Sequence, residues 1–209
     1  MPPPAAAPPL PPPGPDLLTK SGRFQRGIGV ELLGVGAAAT WTRFGTGGGV
    51  ALTTAMQLDL GTNWALRLPL SIDSTVRNAD IAYVGLAFSP GLVHRWRTRD
   101  DQRWIPYAGA GLRLASSGVR RDFIGLPLVA TTSSALSIGE HHHDGLDFGH
   151  HDDPNVDTHG SIAPELWAGA EWHVSRWVAL IFGGTYAWIR FDGENVHLVR
   201  GTIAVRLTL

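Results

Sequence analysis

From residue 26 to the end of the chain, apolar and polar side chains alternate in segments of about ten residues. Alternation with a period of two predicts β-strands whose two faces meet different surroundings. The pattern is clearest at the C-terminus. There, one face carries Val199, Ile203, Val205, Leu207 and Leu209, and the other carries Arg200, Thr202, Ala204, Arg206 and Thr208.

Turn-rich breaks divide this part of the chain into eight predicted strands. They cover residues 26–37, 50–60, 64–74, 81–97, 104–116, 161–174, 177–191 and 196–209. The second and third strands flank Gly61-Thr62-Asn63, which is typical of a hairpin. An even number of strands joined in sequence predicts an all-β fold, an antiparallel up-and-down barrel of eight strands.

The connections between these strands fall into two classes. Those around Thr62, Asp100 and Ser175 are short, whereas the others include a glycine-rich loop at residues 38–49 and a loop at about 117–160. Short turns at one end and long loops at the other are typical of a transmembrane barrel, whose long loops lie outside the cell.

The polar face distinguishes a membrane barrel from a soluble one. A soluble carrier of a small apolar ligand, the alternative fold of this class, would cover its outer face with Lys, Glu, Asn and Gln. Here that face holds mostly Gly, Ala, Ser and Thr with few charges, which suits a narrow, filled lumen. The predicted lumen charges are Glu31, Asp59, Arg67, Asp73, Arg113, Glu165, Glu171, Arg200 and Arg206.

Isolated charges inside a barrel are costly, so we expect these groups to pair. Strand heights predict that Arg113 meets Glu165, and that Glu31, Asp59, Arg67 and Arg206 form a lower cluster. The apolar face then contacts lipid, for example through Leu66, Leu68 and Leu70.

Tryptophan supports the same interpretation, because bilayer interfaces select aromatic residues. Five tryptophans lie close to the three short turns: Trp64, Trp96, Trp104, Trp172 and Trp177. A second, less regular belt near the long-loop end comprises Trp41, Phe44, Tyr186, Trp188 and Phe191.

The composition of the chain excludes several classes of function. A net charge of -1 gives no long-range attraction for nucleic acid, and the absence of cysteine excludes thiol chemistry and disulfides. Residues 1–25 form a predicted proline-rich tail, a spacer or a docking segment for a protein partner, ahead of a barrel domain at 26–209. The first 25 residues show no secretory signal, so an exported chain would carry its signal upstream of this sequence.

Two segments resemble a known group of proteins. Residues 104–112 (WIPYAGAGL) and 164–172 (PELWAGAEW) look like strands of the small eight-stranded outer-membrane barrels of the OmpA-like, OmpW-like and opacity-protein group. The resemblance extends over about residues 26–209. It implies a bacterial outer-membrane protein with both termini in the periplasm, outer-membrane lipid as its main partner, and a structural, adhesive, assembly or narrow-pore role without catalysis.

Candidate catalytic groups are few. His173 and Ser175 are spaced as in the His-x-Ser pair of lipid A deacylating barrels, but they lie at a short turn. Glu165 and Glu171 would stand about 20 Å apart along one strand, too far for a glycosidase pair. No GxSxG, nucleotide-binding loop or HExxH occurs, so the predicted function is non-enzymatic and requires no cofactor.

Residues 139–160 hold six of the nine histidines together with five aspartates. Imidazole and carboxylate together suit zinc, nickel or copper, whereas a solvated hydrophilic loop is the alternative. The predicted ligands are His141, His142, His143, His150, His151 and His159, with Asp144 and Asp152 as further candidates. The long loop is also a candidate surface for a protein partner.

Overall fold

The computed structural model of the chain describes residues 27–61, 63–78, 80–98, 102–125, 156–175, 177–191 and 193–209. The described residues form nine β-strands and one short 3-10 helix, Arg121–Ile124. The strands are β1 Ile28–Thr42, β2 Gly45–Asp59, β3 Trp64–Arg77, β4 Asp80–Phe88, β5 Gly91–Arg95, β6 Trp104–Arg120, β7 Val156–His173, β8 Val178–Phe191 and β9 Glu194–Thr208. Among these residues, no helix is long and apolar enough to cross a membrane.

The strands close into one antiparallel barrel. Consecutive strands pair with each other, apart from β4 and β5, and β1 pairs with β9 to complete the ring. β4 and β5 together make the fourth of eight barrel strands, since both pair with β3 and with β6. The predicted eight-stranded up-and-down barrel is confirmed.

The fourth strand is interrupted where a single strand at 81–97 was predicted. Ser89 and Pro90 separate its halves, because proline has no N–H to donate to the ladder. The pairing register with β3 continues unchanged across the gap, from Leu70↔Phe88 to Arg67↔Gly91. The Ser89 amide instead donates to the Pro69 carbonyl at 2.9 Å.

The prediction of a glycine-rich loop at 38–49 is wrong. β1 and β2 continue to Thr42 and from Gly45, so only residues 43 and 44 connect them. Glycine is depleted in strands in general, but here it lets neighbouring backbones approach closely. A Cβ on Gly49 would lie 2.0 Å from the carbonyl oxygen of Ser74.

The predicted contrast between short and long connections also needs correction. Only two residues separate β3 from β4 and β8 from β9 at the end predicted to carry long loops, whereas the connection at 96–103, predicted short, is eight residues long. One long connection remains, between Gly125 and Val156. It contains fewer residues than the predicted loop at 117–160, because β6 and β7 pair up to Arg120↔Val156. The predicted tail at 1–25 lies outside the described residues.

The lower end of the barrel is the end that carries both termini of the described chain, and the upper end is the end at which the Gly125–Val156 connection joins β6 to β7. Ile28 and Thr208 both lie at the lower end, where Gly29 pairs with Thr208. Alternate residues of each strand point into the lumen and are mostly buried, while their neighbours face outward. In β1 a bulge between Glu31 and Gly34 turns both Leu32 and Leu33 outward.

Candidate functional site

The lumen holds all nine of the charged side chains that the sequence assigned to it. Eight of these residues are buried, with at most 6% of their surface exposed, and the Asp59 side chain is 13% exposed. Alternation therefore locates these groups correctly, since each lies on the opposite face from its apolar neighbours. The charges form two layers, a central layer and a lower layer.

The central layer joins two arginines to two carboxylates. Arg113 Nη2 donates to Asp73 Oδ2 at 2.7 Å, and its Nη1 lies 3.7 Å from Glu165 Oε2. Arg200 Nη2 donates to Glu165 Oε1, and Arg200 Nη1 lies 3.4 Å from Asp73. Each arginine thus contacts both acids, and the predicted contact between Arg113 and Glu165 is observed. Because the layer contains two arginines and two carboxylates, its formal charge is zero.

Neutral side chains complete the central layer, two as hydrogen-bond donors and two as acceptors. Ser89 Oγ and Trp167 Nε1 each donate to the Glu165 carboxylate at 2.8 Å. Arg200 donates to Ser71 Oγ at 2.6 Å and to Thr185 Oγ1 at 2.7 Å. Burying a charge is tolerated only when its hydrogen-bonding capacity is used in this way.

The lower layer consists of three ion pairs. Arg67 Nη2 lies 2.5 Å from Glu31 Oε2, and Arg95 Nη2 lies 2.9 Å from Asp59 Oδ1. Arg206 forms a bidentate pair with Glu171, at 2.7 and 2.5 Å, and also donates to Gln57. The predicted lower cluster is present, but its members pair with groups beyond the predicted four.

Arg95 is a lumen charge outside the set predicted from the alternation of the sequence. With Arg95, the two layers hold five arginines and five carboxylates, so their formal charges balance. Alternation with the buried Val93 could have identified it, because both residues lie on the lumen face of β5. At the lower mouth, burial and the nearby Arg95 cation lower the pKa of Arg97 to about 10, so Arg97 stays protonated at neutral pH.

Above the central layer the lumen is apolar. The 3-10 helix inserts Phe123 and Ile124, which are 1% and 2% exposed, and Thr42 Oγ1 donates to the Phe123 carbonyl at 2.6 Å. Other members of this apolar plug come from the upper strand ends: Tyr83, Val119, Ile189, Phe191, Val196 and Leu198. Phe191 therefore lies inside the barrel, and its predicted place in the upper aromatic belt is wrong.

Space between the two charged layers is small. A cavity of about 10 Å³ lies beside Thr53, Arg67, Thr185 and Arg200. That volume is close to the minimum for one water molecule.

The exterior face is apolar. Large side chains exposed by 40% or more include Leu33 and Val35 on β1, Leu70 on β3, Leu86 on β4 and Leu114 on β6. Monomeric soluble proteins rarely expose a continuous apolar surface of this extent. Such a surface is compatible with lipid rather than with water.

Aromatic residues lie at both ends of this exterior, and most of them are at the lower end. At the lower end, Trp104 stacks on Trp172 with ring centroids 5.7 Å apart, and Trp64 and Trp96 both contact His94 edge-on. Trp177 lies at the same end and is 48% exposed. At the upper end, Trp188 donates to Asn195 at 3.0 Å. All six tryptophans predicted at the interface are thus at the strand ends or turns.

The candidate catalytic residues His173 and Ser175 do not contact each other in the hydrogen bonds of the structure, and each contacts a different group. His173 Nε2 lies 3.1 Å from Glu171 Oε2, on the lumen side. Ser175 Oγ accepts hydrogen bonds from the amides of Trp177 and Val178, at 3.2 and 3.1 Å, and so supports the β7–β8 turn. These contacts account for both side chains as structural groups.

Most of the predicted metal ligands, from His141 to Asp152, lie outside the described residues. His159 does not lie in the long connection as predicted, because it belongs to β7, pairs with Ser117 and packs edge-on against Phe191 at 5.5 Å. Within the described ranges, no three His, Cys, Asp or Glu side chains are grouped so as to hold a metal ion.

Comparison with known proteins supports the fold. Neisserial surface protein A is similar over 87% of this chain and 97% of its own, with 14% identity and a TM-score of 0.62. OprG, an outer-membrane protein of Pseudomonas aeruginosa, matches over 88% and 96% with 9% identity, and the outer-membrane protein AlkL over 91% and 93% with 12% identity, each with a TM-score of 0.50. No protein-family model and no curated sequence matches the chain.

The fold shared with these proteins and the apolar exterior with its aromatic rings define the class. The chain has the fold of the small bacterial outer-membrane β-barrels.

Proposed function

We propose that this protein is a non-enzymatic outer-membrane barrel with a closed lumen, acting at the cell surface in a structural, adhesive or assembly role. The observation that carries the proposal is the filling of the lumen at three levels. Two charge-balanced layers and an apolar plug occupy it from the lower mouth to the 3-10 helix. The upper end of the barrel, where β6 and β7 are joined by the longest connection, would then lie outside the cell, as the long-loop end does in this class.

The filled lumen also argues against the alternative of a soluble carrier. A barrel that carries a small apolar ligand needs an apolar cavity inside and a polar surface outside. This barrel has the opposite arrangement, with ten charged groups inside and large aliphatic side chains outside.

Conductance in planar lipid bilayers tests the closed lumen. We expect no stable conductance from the reconstituted barrel, because an ion would have to displace buried ion pairs and the apolar plug. Phe123→Ala serves as a comparison that thins the plug and leaves the two charged layers in place. A large, stable conductance from the unaltered protein would contradict the proposal.

We also propose that the histidine- and aspartate-rich segment at 139–160 binds divalent zinc or nickel. The five histidines at 141–143, 150 and 151, together with His159 near the start of β7, can supply three or four ligands without a preformed site. Binding should weaken below about pH 6, where imidazole becomes protonated. Isothermal titration of the intact barrel against a variant with the six histidines replaced by serine tests this, and equal titrations would refute it.

A further inference from the structure

The upper part of β7 pairs with a strand on one side only. Its pairing with β6 continues to Arg120↔Val156, whereas its pairing with β8 ends at Glu165↔Ala187. Within the described ranges, residues 156–164 therefore have a free edge on the side that faces β8. An exposed strand edge is a template for pairing with another chain.

The backbone groups on this free edge can be identified from the other end of β7. The His173 amide donates to the Arg103 carbonyl, on the β6 side, and the Val174 amide donates to the Val178 carbonyl, on the β8 side. Successive residues of a strand direct their N–H and C=O groups to opposite sides, and the register with β6 is unbroken, so the even-numbered residues face the free edge. Those even-numbered residues include Thr158, Gly160 and Ile162.

A proline ends the part of β7 that pairs with β8. Pro164 is even-numbered, so it lacks the N–H that would donate to β8, and its presence removes no hydrogen bond to β6. This explains why the β7–β8 pairing stops at Glu165. The lumen stays closed beside the free edge, because the His159 ring packs edge-on against Phe191 with centroids 5.5 Å apart.

The free edge lies above the aromatic residues of the upper end. If the β7–β8 register continued past its last pair, Pro164 would lie opposite Trp188, and Gly160 and Thr158 would lie beyond the end of β8. Thr158 is six residues above Pro164, about 20 Å along the strand. Because tryptophan is typical of the bilayer interface, the exposed Thr158 and Gly160 face the aqueous exterior.

The side chains along the edge do not protect it from pairing. Proteins usually blunt an exposed edge with charges, proline or a bulge. Thr158 and Gly160 carry no charge, and the β6–β7 register contains no bulge. At the lower limit of the edge, Ile162 is 75% exposed, and the exposed Arg190 of β8 pairs with no carboxylate among the residues that the structure describes. An added strand would therefore meet an apolar contact and a cation at that limit.

We infer that this edge binds an extended segment of a partner protein at the cell surface, which adds to β7 as a further β-strand. The segment contains no proline and pairs over about five residues. It is apolar where it meets Ile162 and acidic where it meets Arg190. The inference rests on the proposed role at the cell surface, and it does not depend on the closed lumen or on the metal proposal.

Two other occupants fit the edge less well. A second copy in the same membrane would be related to the first by an axis along the membrane normal. With strands tilted about 40°, the two copies of β7 would cross at about 80°, whereas paired strands are rotated by only about 20–25°. The proline-rich residues 1–25 join the barrel at its lower end, and prolines cannot donate to a ladder.

An NMR titration of the isotope-labelled full chain in detergent micelles tests the inference. The probe is a synthetic peptide of about seven alternating threonine and valine residues that ends in glutamate. We expect the amide signals of Thr158, Gly160 and Ile162 to shift, whereas those of β2 should not. Unchanged signals at millimolar peptide would overturn the inference, and the conductance measurement reports on the closed lumen independently.

Gly160→Pro removes one N–H from the free edge and leaves the β6 ladder intact. A side chain at this position meets nothing within 4 Å. We expect this variant to bind the peptide about tenfold more weakly, because one hydrogen bond is lost and its acceptor is left unpaired. Gly160→Ala adds a side chain at the same position and keeps the N–H, so it should retain binding. Equal affinities of the two variants would contradict pairing through the backbone.

The contribution of Arg190 is tested by a second peptide that ends in glutamine. The unaltered barrel should prefer the glutamate peptide by about threefold, the range of an exposed ion pair, and Arg190→Gln should remove the preference. A preference that survives Arg190→Gln would overturn the assignment of this residue to the site. Heat-dependent gel mobility confirms that every variant forms the barrel.

Hydrogen exchange of the barrel without peptide distinguishes the remaining occupants. We expect the Thr158 and Gly160 amides to exchange fast until the peptide is added. Protection without peptide that is independent of protein concentration would mean that residues 126–155 of the same chain cover the edge. Protection that increases with protein concentration would mean that a second copy covers it. Either result would overturn the inference.

Discussion

At the residue scale, the lumen shows how charges can be buried without an aqueous pore. Arg113 is fully buried, and its guanidinium contacts Asp73, Glu165, Ser71 and Tyr83. Removing one partner of such a network leaves the others charged and desolvated, whereas removing a surface pair exposes its members to water. The position of a pair, more than its length, therefore sets its contribution to stability.

Arg113→Met tests this contrast. We expect it to lower the free energy of unfolding by about 3–5 kcal/mol, because Asp73 and Glu165 lose a buried cation. Arg43→Met breaks the rim pair with Glu194, in which the Arg43 side chain is 69% exposed, and should cost no more than about 1 kcal/mol. Urea unfolding of both variants in detergent micelles measures the difference, and equal losses would show that the central layer is not an energetic unit.

The same residues show what alternation can and cannot predict. Period two assigns Arg67, Asp73 and Arg200 to the lumen because a strand residue points either inward or outward. Pairing across the lumen depends on strand tilt and register, so Arg95 beside Asp59 and the bidentate Arg206–Glu171 contact are visible only in three dimensions. The inward position of Phe191 has the same cause, since an aromatic residue near a strand end suits either a lipid interface or an apolar plug.

At the element scale, most strands are longer than the sequence pattern suggests, although the connection at 96–103 is also longer than predicted. Glycine and proline normally indicate breaks, yet the sheet continues through Gly45–Gly49 and keeps its register across Ser89 and Pro90. In a closed barrel each strand has two neighbours, so pairing on both sides overrides local preference. The sequence pattern did not predict the 3-10 helix, because its four residues follow β6 directly and no turn-rich break separates the two elements.

The end of the 3-10 helix offers a test of how the plug is held. Gly125 has a φ of 78°, and a Cβ there would lie 2.2 Å from the Phe44 ring. Gly193 has a φ of 85° but nothing within 4 Å of its Cβ position. Gly193→Ala should cost about 1–2 kcal/mol from the left-handed backbone alone, and Gly125→Ala more, because Phe44 must also move. Thermal unfolding of the two variants measures this, and equal costs would show that Phe44 does not hold the plug.

At the scale of the whole molecule, the barrel reverses the usual arrangement of a soluble protein. Charged groups balance inside, aliphatic groups face outward, and tryptophans mark both ends. Each level agrees with the others, since the pattern of the strands, the filling of the lumen and the aromatic belts all require lipid around the barrel. The similarity to known outer-membrane barrels is one of fold, and the sequence shared with them is slight.

The accessibility of spin labels along β2 tests this account most directly. The chain has no cysteine, so single cysteines at positions 51 to 56 can each carry a label in reconstituted lipid vesicles. We predict that labels at 52, 54 and 56 collide with oxygen dissolved in lipid, and that labels at 51, 53 and 55 are shielded from oxygen and from a water-soluble nickel complex. Collision of the odd positions with nickel would mean an open lumen, and collision of the even positions with nickel would mean that water, not lipid, surrounds the barrel.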